Sequence, residues 1–199
     1  MKKLLLIGGG GHCRACIDVI EKEGKYKIAG IIDDALHDNN NKEILGYPVL
    51  GKDEDLKKLK NKYDYALVTI GQIKTPAPRI QLYEKLKTLG YILPTIVSPL
   101  AYIARDVTIS EGTIIMHHTL LNTSSKIGKM CIVNTKALIE HDCIVHDFCH
   151  ISTGVILNGG CEVGEQTFIG SNMEIKHNVK IGSQQVIYTN YFIKGGGGK

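Results

Sequence analysis

Tryptophan is absent and phenylalanine occurs three times in 199 residues. With so few aromatics, and no basic stripe that interleaves them, the chain lacks the usual footprint of a nucleic-acid binder. Charge of one sign is scarce as well. The net charge is +4, and lysines alternate with acids, as at Glu54, Asp55, Lys57 and Lys58, which is the pattern of a solvated surface. No run of about 18 apolar residues is present, which excludes a bilayer-spanning helix of the ordinary kind. The apolar opening of residues 1–7 is stopped by Gly8 to His12, too early for the core of a signal peptide, so the cytoplasm is the expected compartment. Cys13 and Cys16 lack the flanking residues of a redox motif, and Cys16 falls on the apolar side of a helix with Ile17 and Ile20.

What is present in abundance is a six-residue period. Ile103, Ile109, Ile115, Leu121, Ile127 and Val133 begin a series of aliphatic anchors that runs without a slip to Ile187. Four residues after each anchor the side chain is usually small or β-branched, and the position just after it favours turn formers such as Asn122, Gly128 and Gly164. A hexapeptide period of this kind predicts a parallel β-helix in which each hexad is one short strand plus a corner and three hexads make a triangular coil. A single coil cannot bury its own apolar face, so stacking makes the core. Cys131, Cys143, Cys149 and Cys161 take the inward small position and are expected as free core residues, Cys131 stacked on Cys149 and Cys143 on Cys161.

The first half reads differently. An apolar strand at residues 3–7, the glycine run Gly8 to Gly11, a helix from about residue 12 to 23 and a second strand ending at Asp33-Asp34 make a nucleotide-binding βαβ unit. The glycines allow backbone N–H groups to approach a phosphate at the helix N-terminus, and His12 and the two aspartates share that edge of the sheet. The third glycine of the dinucleotide fingerprint is replaced by Cys13, so NAD is not implied. Residues 35–47 are expected as a loop, 52–61 as a charged helix and 65–70 as a third strand. A proline-started helix then runs to about Leu89, followed by a fourth strand at 91–97. The expected division is therefore residues 1–98, a Rossmann-like parallel-sheet domain, and residues 99–187, the β-helix. The tail 188–199 is atypical and expected to be disordered, and Gln185 falls on an inward position where it should spoil the register.

Outward corners of the coil decide its chemistry. His141 lies two residues after an inward anchor, flanked by Glu140 and Asp142, and one coil on, the same corner is Gly159, which leaves room for a slender ligand. A neighbouring carboxylate can fix the tautomer of an imidazole and raise its basicity, the requirement for a general base near neutral pH. His150 points outward within half a coil of His141, placed to line the same site in this or an adjacent subunit. His117, His118 and His146 are expected at the surface. His177 shares the corner of His141 two coils away, too far for a common metal ion.

The combination of I-G-G-G-G-H at residues 7–12, Asp33-Asp34, I-V-S-P at 96–99 and N-T-x-x-x-I-E-H-D at 134–142 resembles the sugar acetyltransferases of the PglD/NeuD type, over nearly the whole chain. The resemblance implies a homotrimeric left-handed β-helix enzyme with sites between subunits, acetyl-CoA as donor and a UDP-linked 4-amino-4,6-dideoxy sugar as acceptor, in surface-glycan synthesis. It makes His141 the general base and Asp142 the acid that polarises it. Asn134 and Glu140 would contact the sugar; Gly10, His12, Asp33 and Asp34 the nucleotide; His150, Gly159 and Ser171 the acetyl-CoA. No metal is expected. Other readings are O-acetylation of a sialic-acid-like sugar, and an inactive sugar-nucleotide-binding trimer shortened at its C-terminal end. A zinc enzyme of the gamma carbonic anhydrase kind is a further one, suggested by His141 and His146 but lacking a third ligand.

Overall fold

The computed structural model describes residues 1–39 and 42–188. Beyond Tyr188 the expected tail lies outside the described residues. Among them the order of elements is β1 (Lys2–Ile7), α1 (Gly11–Glu23), β2 (Tyr26–Ile32), α2 (Asp34–Asp38), β3 (Glu43–Ile44), β4 (Tyr47–Gly51), a 3-10 turn (Asp53–Asp55), α3 (Leu56–Leu59), β5 (Tyr65–Val68) and α4 (Ala77–Thr88). They form one sheet in the order β3-β4-β2-β1-β5, parallel except where β3 runs against β4. β1 lies inside the sheet between β2 and β5, and Leu4 to Ile7 is apolar on both faces, as a strand covered on both sides must be.

Three expectations shift here. Residues 35–47 are not all loop: the Asp33 carboxylate accepts the Leu36 N–H at 2.9 Å and so caps the short α2. The charged helix of 52–61 is broken into the 3-10 turn and one turn of α-helix. The fourth strand at 91–97 does not form, because Pro94 removes a ladder donor. Ile92 makes only an isolated bridge to Tyr65, and Ile96–Val97 pairs instead with Ile114–Ile115.

From Ile96–Val97 to Val186–Ile187 the chain is a left-handed β-helix of two-residue strands, each paired in parallel with the strand eighteen residues on, as Leu120 with Leu138 and Leu138 with Ile156. The third residue after most anchors takes a left-handed conformation, including Asp142 (φ +60°) and Gly160 (φ +72°), and that residue turns each corner. The prism therefore has three faces. The first, from Ile96–Val97 through His150–Ile151 to Val186–Ile187, faces the N-terminal half; the second carries Leu138–Ile139 and the third Ile144–Val145. Anchors and small residues fill the interior, all four cysteines expected there are buried and free, and so are Cys13 and Cys16 on α1. The register does not break at Gln185: Val186–Ile187 still pairs with Phe168–Ile169, and Gln185 is exposed on the last coil described.

Two kinds of contact join the halves. Ile96, Ile114 and Ile132 point outward from the first face into the cluster that holds Cys16, Ile17 and Ile20 of α1. Polar stitches surround this seam. His117, expected at the surface, is held between Ser98 Oγ and Asp18 of α1, each at 2.6 Å. With the interior so closely filled, Ile151→Ala should cost about 2–5 kcal/mol in urea unfolding. Lys126→Ala, on the exposed side of a strand, should change stability by less than about 0.5 kcal/mol.

Candidate active site

A large cavity of about 820 Å³ lies between the glycine loop and the first face of the prism. Gly8 and Gly9 are there for lack of space: a Cβ would meet Ile70 at 2.4 Å and Leu36 at 2.3 Å. Gly10 and Gly11 have open space in front of them, and no side chain caps α1 at Gly10. The first-turn N–H groups of a helix are orphans by construction, so a bare, glycine-lined N-terminus facing a cavity suits an anion. Asp33 accepts the Gly9 N–H at 2.8 Å as well as that of Leu36, so its carboxylate ties the loop to α2. Asp34 accepts the Asp53 N–H at 2.8 Å and lines a smaller cavity of about 230 Å³ instead. Asp33 lines both cavities, and Asp34 only the smaller one.

His12 and His150 both line the large cavity. Burial, with His150 and Arg79 nearby, pushes the His12 imidazole down to about 3 from an ordinary 6.5, and its Nε2 has no partner among the described residues. Burial also pushes His150 down to about 4, its Nδ1 bonded to the Gln72 carbonyl at 2.5 Å. Asn134 Nδ2 stands 3.3 Å from His150 Nε2, and Phe168 packs edge-on to the ring at 5.1 Å. A second cavity of about 390 Å³ shares Ile73, Asn134 and His150 as its wall and continues past Ser152 and Ser171, whose hydroxyls are 3.0 Å apart.

His141 occupies a different edge. It lies at the corner between the second and third faces, its side chain 53% exposed, with Nδ1 at 2.8 Å from Asp142 Oδ2. The left-handed turn at Asp142 brings that carboxylate back onto the ring. Because a carboxylate only accepts, Nδ1 carries the hydrogen, and in the neutral ring Nε2 is left with the lone pair. Glu140 accepts from Asn122 Nδ2 at 2.7 Å and from the His141 main-chain N–H at 3.3 Å. The space over Gly159 is taken by the imidazole itself, since a Cβ there would lie 2.6 Å from both Cε1 and Nε2. Asn134 and His150 belong to the first face and the corner beyond it, so one copy of the chain does not bring them to His141. His146 pairs with Glu162 at 3.0 Å, and no group of three or more His, Cys, Asp or Glu that could hold a metal occurs among the described residues.

Residues 3–86 match the family model described as the PglD N-terminal domain. Among solved structures, a His-to-Asn mutant of perosamine N-acetyltransferase from Caulobacter crescentus, in complex with CoA and GDP-perosamine, is 30% identical, with a TM-score of 0.84 over 92% of this chain and 84% of that one. The chain belongs to the PglD/NeuD-type sugar acetyltransferases. The acetyltransferase domain of PglB from Neisseria gonorrhoeae is similar too, at 28% identity and a TM-score of 0.83 over 92% and 86% of the two chains. The same domain in complex with acetyl coenzyme A is 29% identical, with a TM-score of 0.83 over 92% and 85%. No curated protein sequence matches this chain.

In this PglD/NeuD-type chain, two polar residues that line the large cavity, Thr69 and Gln72, and a third behind them, Arg79, carried no signal in the sequence. Thr69 donates to the Gly8 carbonyl at 2.6 Å, and Gln72 and Arg79 are buried in the seam between the halves. Only the position of Thr69 and Gln72, just past the end of β5 at the ligand edge of a parallel sheet, could have marked them. His12 and His150 also set a pH dependence. Their folded values lie below the unfolded 6.5, so the stability they contribute is complete above pH 6.5 and is lost as pH falls from there toward 4. Urea midpoints should drop between pH 7 and pH 5 with a slope of up to about 1.4 kcal/mol per unit for each histidine. The drop should be smaller in His150→Asn.

Proposed function

We propose that the protein transfers the acetyl group of acetyl-CoA to the amino group of a nucleotide-linked amino sugar, with His141 as general base. The observation that carries this reading is the His141–Asp142 pair: a tautomer fixed at Nδ1, a bare Nε2, and a ring seated against Gly159. As the amine attacks the thioester carbonyl, the N–C bond forms and the C–S bond breaks. His141 Nε2 takes the proton shed by the amine and returns it to the departing CoA thiolate. The glycine loop, with His12 and the free N-terminus of α1, suits the diphosphate of the sugar nucleotide. The cavity of Ser152, Ser171 and Phe168 suits the acetyl-CoA side.

Support for a site shared between copies comes from the second face. It runs between the corner of Asn134 and the corner of His141, and stacks Tyr102, Leu120, Leu138 and Ile156 outward on successive coils, with Tyr102 62% exposed. An apolar face of this kind is a packing surface, and packing copies on it around a closed ring would set the His141 of one beside the Asn134 of the next. A homotrimer is the assembly we propose. The nucleotide is proposed as UDP on a 4-amino-4,6-dideoxy sugar. The GDP-perosamine bound to a similar enzyme makes GDP the competitor to test.

Thiol release from acetyl-CoA, measured with UDP- and GDP-linked amino sugars side by side, tests the reading; release with neither would sink it. His141→Asn should slow turnover roughly a hundred- to ten-thousand-fold, and Asp142→Asn by less, with melting temperatures close to the parent. Gly159→Ala should act like a partial loss of His141 by driving the ring out of its seat. Co-refolding His141→Ala with Asn134→Ala should restore activity, because mixed assemblies regain intact sites; persistent inactivity of assembled hybrids would place the whole site in one copy.

A further inference from the structure

Arg79 of α4 is 1% exposed, yet no carboxylate pairs with it among the described residues. Its Nη1 donates to Gln72 Oε1 at 3.0 Å and its Nη2 to the Met130 carbonyl at 2.5 Å, while Nε has no partner. A buried cation so thinly compensated is costly, and an apolar side chain of the same size would fill the space at less cost. Its contacts point to a role in placing other groups. Gln72 Oε1 is committed to Arg79, so the amide nitrogen donates to the Phe148 carbonyl at 2.9 Å. Met130 and Phe148 are the left-handed residues at one corner of successive coils, so the two side chains grip the corner peptides of the prism directly.

With Gln72 locked at both ends, its main-chain carbonyl faces His150 Nδ1 at 2.5 Å. A carbonyl only accepts, so Nδ1 carries the hydrogen, and in the neutral ring Nε2 is left with its lone pair. Opposite that lone pair, at 3.3 Å, is Asn134 Nδ2, whose partner oxygen Oδ1 already accepts the Thr135 N–H at 2.8 Å. Both ends of the amide agree on its orientation. One Nδ2 hydrogen points to His150, and the second is left for the wall between the two cavities, which Asn134 lines in each.

We propose that Arg79 and Gln72 are positioning residues that act through His150 to hold the Asn134 amide as a hydrogen-bond donor at the wall shared by the two cavities. What the donor meets rests on the acetyl-transfer reading: an acceptor oxygen of the bound substrates, where a ligand N–H would be refused. The groups facing the His150 ring are Gln72 from the loop after β5, Asn134 and Phe168 from neighbouring coils, His12 from α1 and Arg79 from α4. No carboxylate bonds to it among the described residues, and the ring is held neutral by burial and by Arg79, with the Gln72 carbonyl opposing in part.

The test is ¹⁵N NMR of the full-length, ligand-free protein labelled at histidine, with His150→Asn to assign the ring, followed by steady-state kinetics. Wild type should show His150 with hydrogen on Nδ1 and a bare Nε2 at pH 7. A signal for hydrogen on Nε2 overturns the proposal whether or not any variant folds. Gln72→Met and Arg79→Met, assayed well below their melting temperatures, should give mixed tautomers and a roughly tenfold fall in kcat, the size of one lost hydrogen bond. A lower melting temperature with tautomer and kcat unchanged would reduce both residues to structure and overturn it. Should the wild type transfer no acetyl group at all, the acetyl-transfer reading fails, while the tautomer of His150 still decides the placement of Asn134.

Discussion

Every outward side chain of the β-helix is placed by the corner that closes each hexad. A left-handed residue on the third position after the anchor bends the strand, three bends close a coil, and residues eighteen apart become neighbours across a parallel ladder. Because the register has no shift from Ile103 to Ile187, position modulo eighteen fixes which face or edge a side chain occupies. His141 and Gly159 share one edge for this reason, and Asn134 and Ser152 share another. The separation of His141 from Asn134 is therefore a property of the repeat and not a detail of side-chain packing. No rotamer change within one copy bridges two corners of a filled prism.

The seam between the halves follows a different logic. Isoleucines on the first face meet the apolar side of α1, and this burial supplies the attraction. Around it runs a belt of oriented polar contacts: Asp18–His117–Ser98 on one side, Arg79–Gln72–His150 on the other. An apolar seam alone tolerates sliding, since burial is non-directional. The belt fixes the angle at which the glycine loop overhangs the coil, and with it the width of the cavity between them. His150 is kept neutral by burial, so the wall opposite the helix N-terminus presents His150 and Asn134 as oriented dipoles.

How much of this was legible in the sequence depends on whether a residue's role is periodic or contingent. Most of the prism was legible, down to the stacked cysteines, because each hexad repeats the same local instruction; its first strand at Ile96–Val97 and the unbroken register at Gln185 were not. The βαβ unit was legible from its glycines and its terminal aspartates. Three elements were misread for local reasons: Asp33 caps α2 inside what read as a loop, the charged helix of 52–61 breaks into a 3-10 turn and one α-helical turn, and Pro94 interrupted what read as a strand. His150 was placed correctly as outward, but its burial was invisible, because the sequence does not say which face the N-terminal half covers. Arg79 and Gln72 left no trace, since a charged residue on a helix reads as solvated unless its tertiary partners are known.

The Glu140, His141 and Asp142 run shows the same limit in miniature. Its residues are adjacent in sequence, yet their side chains take different partners. The corner sends Glu140 back toward Asn122 of the coil before, and the left-handed turn folds Asp142 onto the ring. An imidazole held by one carboxylate and backed by a glycine is oriented but still half in water, where proton transfer gains little from the protein's field. On the proposed assembly, the apolar stripe beginning at Tyr102 would remove that water by bringing a second copy alongside. Burial of the stripe and completion of the site are then one event, and it gives a physical reason for leaving the proposed general base exposed in the isolated chain.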